Sequence, residues 1–385
     1  MKKKNKKDEH PSISLFTGAL GLDLGLEKAG FEIRACVEKD DSCTKTIIAN
    51  RPSLRSRIIN KDINKVSVQE ILGVSGLKRG QAFLVAGGPP CQPFSTVGRR
   101  ESISSDEGNL FHKFLEVVWG IYPQCFIFEN VKGILSAAIQ HKPLNLRGKD
   151  GKNLTRKEKL GSGWDFINKQ FAKVLRQRKK NGYRLTVWEL DATDFGAAQK
   201  RKRVFIVGTR RDCKLAIPKG LYVGRQRTLK DAIGGLDGKY ERAGIDYFPY
   251  DKTRYKIFSE NLVKAGENWT CLPVNLQKKV MGKGWYATGG KVGFCRRLSW
   301  DKPSPTITTN PMGRATNLCH PEKPRPLNYV ECALLQGFPK GWKFEGSLSQ
   351  KYKQIGNAVP VQLGAAIGKS ILESLEVQDA ECNKT

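Results

Sequence analysis

One cysteine in this chain stands in unusual company. In Gly87-Gly-Pro-Pro-Cys91-Gln-Pro-Phe-Ser95 a thiol follows two glycines and two prolines, and the apolar run Ala82-Phe-Leu-Val-Ala86 leads straight into them. Proline fixes its own φ, so Pro89 and Pro90 hold the thiol at the end of a strand, where open α/β sheets bind ligands. A resting thiol has a pKa near about 8.5 and needs activation before it attacks. A second apolar run, Cys125-Phe-Ile-Phe, ends in Glu129-Asn130-Val131, so both side chains can converge with Cys91 on one pocket. A nucleophile and a carboxylic acid are the pair required to attack an electron-poor ring while protonating its ring nitrogen. A cysteine kept only for packing would be a small buried residue. The prolines before Cys91, and the polar stretch 95–109 with Arg99 and Arg100, argue against that.

Two further stretches could serve such a centre. Gln199-Lys-Arg201-Lys-Arg203 is a basic run leading into a strand. Alternate residues of an extended segment point one way, which would send Gln199, Arg201 and Arg203 toward one anionic or carbonyl-bearing target. Phe16-Thr-Gly18-Ala-Leu-Gly21-Leu-Asp-Leu-Gly25 is a glycine-rich turn after the first strand, a place where backbone can approach a nucleotide-like ligand. It is not GxGxxG, so the dinucleotide fingerprint fails. Glu38, at the end of the second strand, stands where an acid takes ribose hydroxyls. Asp62 could hold an adenine amino group, and Phe16 could stack on the adenine. Together these residues suggest an adenosine-containing cofactor with no phosphate-binding P-loop.

The elements that must position these groups are legible from their periodicity. Ser12–Thr17, Glu32–Val37, Ala82–Ala86, Cys125–Glu129, Leu185–Leu190 and Arg203–Val207 read as strands. Leu22–Ala29, closed by Gly30, and Asp41–Asn50, capped by Asp40 or Asp41 and stopped before Pro52, read as helices, as does Trp164–Arg178. Near-continuous apolar strands are those of a sheet covered on both faces. The expected fold is α/β, a doubly wound, mostly parallel Rossmann-like sheet. Between these elements, 136–163 is a polar insertion with seven Lys/Arg against two acids, a loop or a nucleic-acid contact.

Beyond residue 208 the texture changes. Thr228–Leu236 predicts a short helix with Thr228 as N-cap and Asp231 three residues on. From there to about 345 the chain is irregular and rich in Gly, Pro and aromatics, and Gln362–Leu375 returns to a helical pattern that packs back on the first domain. The expected organisation is a basic tail (1–11), a catalytic and cofactor domain (12–208 with 350–377), and a smaller, irregular domain (209–349).

Of the 385 residues, 67 are Lys or Arg and 37 Asp or Glu, a formal net charge of +30. A charge that large repels itself unless a polyanion is the working partner, and nucleic acid is the leading candidate. The ten cysteines occur singly, without CxxC and without histidines at zinc-ligand spacing, so no metal site is expected. With no signal peptide, they read as reduced thiols of a cytoplasmic protein. No stretch approaches the ~18 apolar residues a membrane span needs.

The chain resembles the DNA cytosine-5 methyltransferases from about Ser12 to Gly368. GGPPCQPFS is the most specific piece, and ENV, QKRKR and Gln354-Ile-Gly-Asn357-Ala-Val-Pro360 reinforce it in the family's order. The resemblance implies the S-adenosylmethionine-dependent methyltransferase fold, with that cofactor held by Phe16, Gly18, Gly21, Glu38, Asp62 and Asn357. It implies Cys91 as the nucleophile on cytosine C6 and Glu129 as the group at N3, with Arg201 and Arg203 positioning the extruded base and a neighbouring phosphate. Pro90, Ser95, Asn130 and Gln199 complete the implied substrate contacts, and Gly98 the hinge of a lid after Cys91. Double-stranded DNA is the implied partner, read by the target-recognition domain near Lys283-Gly-Trp285 and by exposed side chains at Arg296-Arg297. A monomeric, nucleoid-associated bacterial enzyme genetically paired with a restriction endonuclease is the implied setting. Arg325-Pro-Leu-Asn-Tyr-Val-Glu-Cys-Ala-Leu-Leu-Gln-Gly-Phe-Pro339 resembles the motif that organises the recognition domain. The chain departs from the family at Leu20 (usually glycine), Asn328 (threonine), Leu334 (arginine) and Gly108 (often arginine). Three alternatives stay open on the sequence: an RNA cytosine-5 methyltransferase on the same scaffold, a catalytically silent DNA-binding relative, and, more distantly, a nicotinamide oxidoreductase.

Overall fold

The structure, a computed structural model, describes residues 10–90, 106–138, 142, 153–176, 182–210, 215–236, 238, 240–250, 252–286, 292–310, 313 and 316–382. Cys91, Ser95, Gly98, Arg99 and Arg100 lie outside the described residues, as do 139–141 and 143–152 of the polar insertion 136–163.

Strands β1 (His10–Leu15), β2 (Phe31–Val37), β3 (Ile58–Ile59), β4 (Leu84–Gly87), β5 (Cys125–Val131), β6 (Arg184–Asp191) and β7 (Lys202–Thr209) form one sheet in the order β3-β2-β1-β4-β5-β7-β6. The first five run parallel, and β7 is antiparallel to both β5 and β6. Strand order reverses between β1 and β4, and this reversal opens a crevice at the carboxyl edge. The antiparallel end puts the start of β7 and the end of β6 at that same edge, because Val131 pairs with Arg203 and Asp191 with Lys202.

Side chains alternate between the two faces of each strand, and the core clusters follow that alternation. Ile13, Leu15, Val85, Phe126, Phe128, Val204 and Ile206 pack on one face under helices α3 (Val68–Ser75), α4 (Asp106–Ile121) and α5 (Ser162–Arg176). Leu84, Ala86, Cys125, Ile127, Phe205 and Val207 face the other way, toward α1 (Gly21–Ala29) and α11 (Val361–Cys382). The buried residues Leu363, Ile367, Ile371 and Leu375 make the apolar stripe of α11. Each contributes roughly 1.5–3 kcal/mol by leaving water.

Two glycines let α11 and the residues leading into it press onto α1. A Cβ at Gly21 would stand 2.7 Å from Val359 O, and one at Gly364 2.7 Å from Leu22 O. Helix α1 ends at Gly30 (φ 111), and α2 (Asp41–Asn50) starts at Asp40, whose carboxylate accepts from Ser42 N at 2.9 Å.

Among the described residues from 215 to 346, β structure is limited to isolated bridges, and the helices α6 (Leu229–Ile233), α7 (Lys252–Ser259), α8 (Val274–Met281) and α9 (Tyr329–Leu335) are short. Thr228 and Asp231 form the expected capping box on α6. Buried side-chain ties substitute for a sheet. Arg297 donates to the carbonyls of Pro321 (2.8 Å), Phe258 (3.1 Å), Val263 (3.2 Å) and Glu322 (2.8 Å). It is 6% exposed, which corrects its reading as an exposed recognition residue. A guanidinium offers five donors, enough to tie several loop carbonyls together where no ladder exists. Arg325 lies fork-to-fork between Glu331 (2.8 and 2.9 Å) and Glu241 (2.6 and 2.8 Å). Beside it, burial pushes His320 down to about 3, and its Nδ1 accepts from the amides of Glu322 and Lys323 as only a neutral ring can.

Asn328, at the threonine position, caps α9 in a capping box with Glu331 and donates to Tyr240 O at 3.0 Å. Leu334, at the arginine position, packs partly buried against the same core. That core joins Leu20, Leu24 and Ile33 of the sheet region to Leu229, Ile307, Leu327 and Leu335. Helix α10 (Leu348–Asn357) completes it through Tyr352 and Ile355.

Candidate active site

The carboxyl edge carries two groups of side chains, one over β1–β3 and one over β4–β5–β7. The first begins where β1 ends. Phe16 (φ 54), Gly18 (φ 56) and Leu20 (φ 70) all take the left-handed conformation within five residues, and Leu20 is the N-cap of α1. Glycine adopts that region freely, whereas a leucine does so at a cost. The turn is fastened from the next strand. Glu38 Oε2 accepts from Gly18 N at 2.7 Å and Oε1 from Asp40 N at 2.8 Å. Burial pushes the Glu38 carboxyl above its ordinary value, while the amides of Asp40 and Gly18 pull it back.

Each Glu38 oxygen retains a lone pair for an outside donor. A Cβ at Gly18 would meet nothing within 4 Å, so space is open at the turn. Asp62, three residues beyond β3, uses Oδ1 to accept from Asn64 N at 3.0 Å, and its Oδ2 lies 3.8 Å from Lys39 Nζ. Asn357 ends α10 on the exposed side. The backbone just after it packs on Gly21, which brings QIGNAVP against the turn. Two acceptor carboxylates at neighbouring strand ends, an open glycine turn and an exposed amide fit an adenosine-type cofactor with its hydroxyls and amino group.

The second group centres on Glu129, the fifth residue of β5. Its Oε1 accepts from Arg203 Nε at 2.8 Å, and both side chains are 12% exposed. Burial pushes the Glu129 carboxyl above the usual carboxylate range, and the charges of Arg203 and Arg201 hold it back. A Cβ on Gly88 would come within 2.5 Å of Glu129 Oε2, so a side chain at this point of GGPPC would displace the carboxylate. Gly88 is three residues before Cys91, and Pro90, the last described residue before it, is exposed. Asn130 is buried, its Oδ1 accepting from Val131 N at 2.9 Å, while its Nδ2 has no hydrogen-bond partner.

Of the alternating set in QKRKR, only Arg203 engages the acid. Arg201 is 2% exposed and donates to Ile307 O at 2.8 Å and Gly356 O at 2.7 Å. Gln199, fully buried, donates to Leu335 O (3.2 Å) and Gln336 Oε1 (2.6 Å) and accepts from Ile307 N (3.1 Å). Their partners, then, are internal carbonyls and amides. Arg201 thereby joins the start of β7, the strand of Arg203, to the residue before Asn357, and so links the two groups across the edge. Gln336 was not singled out from the sequence. It donates on to Ile355 O at 2.6 Å, a link with no local signature.

The comparisons with known proteins agree with this layout. The family model described as C-5 cytosine-specific DNA methylase matches residues 11–145 and 153–373. The Type II methyltransferase M.Sau96I of Staphylococcus aureus is 34% identical over 97% of this chain and 77% of its own length. The Type II methyltransferase M.Eco47II of Escherichia coli is 35% identical over 94% of the chain and 79% of its own. Among solved structures, a prophage-encoded protein of E. coli, described as a DNA modification methyltransferase, superposes with a TM-score of 0.63 at 23% identity, covering 95% of this chain and 99% of that one. A Spodoptera frugiperda DNMT2 variant superposes with a TM-score of 0.58 at 14% identity over 94% of this chain and 99% of its own, a likeness of fold alone. The chain belongs to the C-5 cytosine-specific DNA methylases, a family that draws its methyl group from S-adenosylmethionine, and is a DNA cytosine-5 methyltransferase.

Proposed function

We propose that this chain extrudes a target cytosine from duplex DNA and methylates it at C5 by covalent catalysis from Cys91. The observation that carries this reading is Glu129, a carboxyl with a raised pKa, clamped by Arg203 and pressed against Gly88 of the GGPPC segment. A carboxyl that holds its proton more tightly than a free one is suited to giving that proton to N3. Cys91 adds to C6, Glu129 protonates N3, and C5 becomes enamine-like. After methylation at C5 the C5 proton is lost, N3 returns its proton, and the Cys91–C6 bond breaks. Arg203 holds Glu129 in place, and Arg201 stands by as a second cation. S-adenosylmethionine would supply an electrophilic sulfonium methyl when held by Phe16, Gly18, Gly21, Glu38, Asp62 and Asn357.

The cytosine is unreachable inside a stacked duplex, so extrusion costs a few kcal/mol. The net charge of +30 supports phosphate binding that weakens steeply with salt. Pro90, Ser95, Asn130 and Gln199 belong to the substrate side of the centre, with Gln199 acting through the backbone it fixes. Residues 209–349 act as the target-recognition domain on a catalytic body of 12–208 with 350–377. A monomer in a bacterial cytoplasm, serving a restriction-modification system, completes the reading.

Cys91→Ser is the test. With labelled S-adenosylmethionine and duplex DNA, the variant should bind both yet transfer no methyl groups. Transfer at the wild-type rate would refute the assigned nucleophile.

A further inference from the structure

The reactive edge has an outer end that the chemistry above does not use. After β7 the chain passes α11, where Ser370 Oγ donates to Ala216 O at 2.6 Å, and returns to the connection between β6 and β7. There Tyr222 N donates to Asp194 O at 3.0 Å, and its ring fills the space beside Gly196, where a Cβ would stand 2.8 Å from Tyr222 Cε2. Arg225 N donates to Tyr222 O at 3.1 Å around Gly224 (φ 77), closing a turn. Gln226 Nε2 donates to Thr193 Oγ1 at 3.2 Å and fastens the exit. The turn is anchored on both sides, yet its tip is bare: Leu221 is 86% exposed and Val223 70%.

Single exposed apolar residues are ordinary. Two of them on a tied-down turn, bracketed by Lys219 and Arg225, form a composite surface. Lys219, Arg225 and Lys230 are exposed and make no ion pair among the described residues. Asp231, the one acid between 215 and 231, is spent on capping, its Oδ2 accepting from Thr228 N at 2.7 Å. Lys219, Arg225, Arg227 and Lys230 outnumber Asp231 and Asp194, the acid packed beside Gly220. An excess of cations around an apolar tip matches a polyanion whose sugars and base edges are apolar, which is a nucleic-acid strand.

The position agrees. The connection 192–201 lies at the same edge as Glu129, and β6 is two strands from β5. At a strand spacing of about 4.8 Å, the turn lies roughly 10 Å or more across the sheet from Glu129. That is about three base pairs along a duplex that rises 3.4 Å per pair.

We propose that the turn 219–225 is a second DNA contact, taking the flank of the duplex a few base pairs from the extruded cytosine. Lys219 and Arg225 meet phosphates, and Leu221 and Val223 lie against the sugar edge of a groove. This rests on the reading of the chain as an enzyme that acts on duplex DNA.

The test compares Lys219→Ala/Arg225→Ala with a charge-matched control, Lys78→Ala/Lys369→Ala, on duplexes of about 12 and about 24 base pairs carrying one target site. The wild type must first transfer methyl groups to that DNA, and its failure to do so would count against the enzyme reading and not against the turn. On the long duplex the turn variant should bind about tenfold or more weakly at about 0.1 M salt. Its slope of log affinity against log salt should be shallower by about two, one per phosphate contact. The control should fall short of both changes. Leu221→Ser/Val223→Ser should weaken binding with the wild-type salt slope. Equal affinity and slope for wild type and turn variant would overturn the proposal. So would wild-type self-association that Leu221→Ser/Val223→Ser abolishes, which would make the tip an interface between copies.

Discussion

The two halves of the carboxyl edge are built by different means. Over β1–β3 the parts are close in sequence, since Phe16, Gly18 and Leu20 make one turn and Glu38, twenty residues on, fastens it. Over β4–β5–β7 the acid at 129 is held by residue 203, and that strand's lead is fixed by Ile307, Gln336 and Gly356. The turn on the cofactor side is therefore a local structure that one parallel β-α-β unit can form, against which the segment around Asn357 then packs. The reactive side exists only once distant segments have docked. Damage on the first side should stay local, whereas damage on the second should spread to stability and catalysis together.

The largest expected effect tests the reactive half directly. Glu129→Gln keeps the shape of the side chain and a partner for Arg203 but cannot deliver a proton to N3. Methyl transfer at saturating substrates should fall by about 10²–10⁴-fold, while the affinity for S-adenosylmethionine, measured by calorimetry, should remain within about twofold. A matching loss of cofactor affinity would show that the two halves are not separable.

The same division explains what was legible in the sequence. Glu38, Gly18 and six of the seven strands follow from glycine turns, strand-end acids and apolar runs, all of which act over a few residues, whereas the order of the strands came only from the structure. The capping pair Thr228–Asp231 was readable for that reason too. The partners of Gln199 and Arg201 were not. The alternation placed them on one side of an extended run, but the targets are carbonyls more than 100 residues away. Arg296-Arg297 looked like a solvated basic pair, yet Arg297 is the buried tie of a region without a sheet. In such a region an arginine can substitute for backbone pairing, and nothing in its immediate neighbours reports this.

Arg201→Leu should be the next most damaging change, and it should act on the fold as well as the reaction. It removes two charged hydrogen bonds and leaves the carbonyls of Ile307 and Gly356 without those donors. At roughly 1.5–3 kcal/mol per bond to a charged group, the loss is about 3–6 kcal/mol. A urea midpoint unchanged from wild type would mean that the tie across the edge is dispensable.

On the cofactor side, Asp23 offers a sharper probe. It lies buried in the first turn of α1, and burial pushes its carboxyl from 3.8 up to about 7 against the pull of Ser14. A raised folded-state pKa means that the folded protein binds the proton more tightly than the unfolded chain. The resulting stability is complete below about 3.8 and lost as pH rises through about 7. Asp23→Asn should remove that loss, so its advantage over the wild type should widen by about 3 kcal/mol between pH 5 and pH 8. Parallel stability curves for the two proteins over that range would show that the carboxyl does not titrate in the fold.

Leu20→Gly restores the residue usual at this point of the turn, and two opposed terms decide its effect. Leucine at φ 70 carries left-handed strain of roughly 1–2 kcal/mol that glycine would release. The same side chain is fully buried in the core that joins α1 to Ile307 and Leu335, and removing a buried leucine costs about 2–5 kcal/mol. Glycine's greater freedom in the unfolded chain adds about 0.5–1 kcal/mol to the loss. Packing therefore outweighs strain, and the variant should be less stable by about 2 kcal/mol in denaturant unfolding. Because the peptide geometry at Gly18 and Glu38 needs no side chain at residue 20, cofactor affinity should hardly change. A variant more stable than the wild type would show that the turn, and not the core behind it, sets the conformation of Leu20.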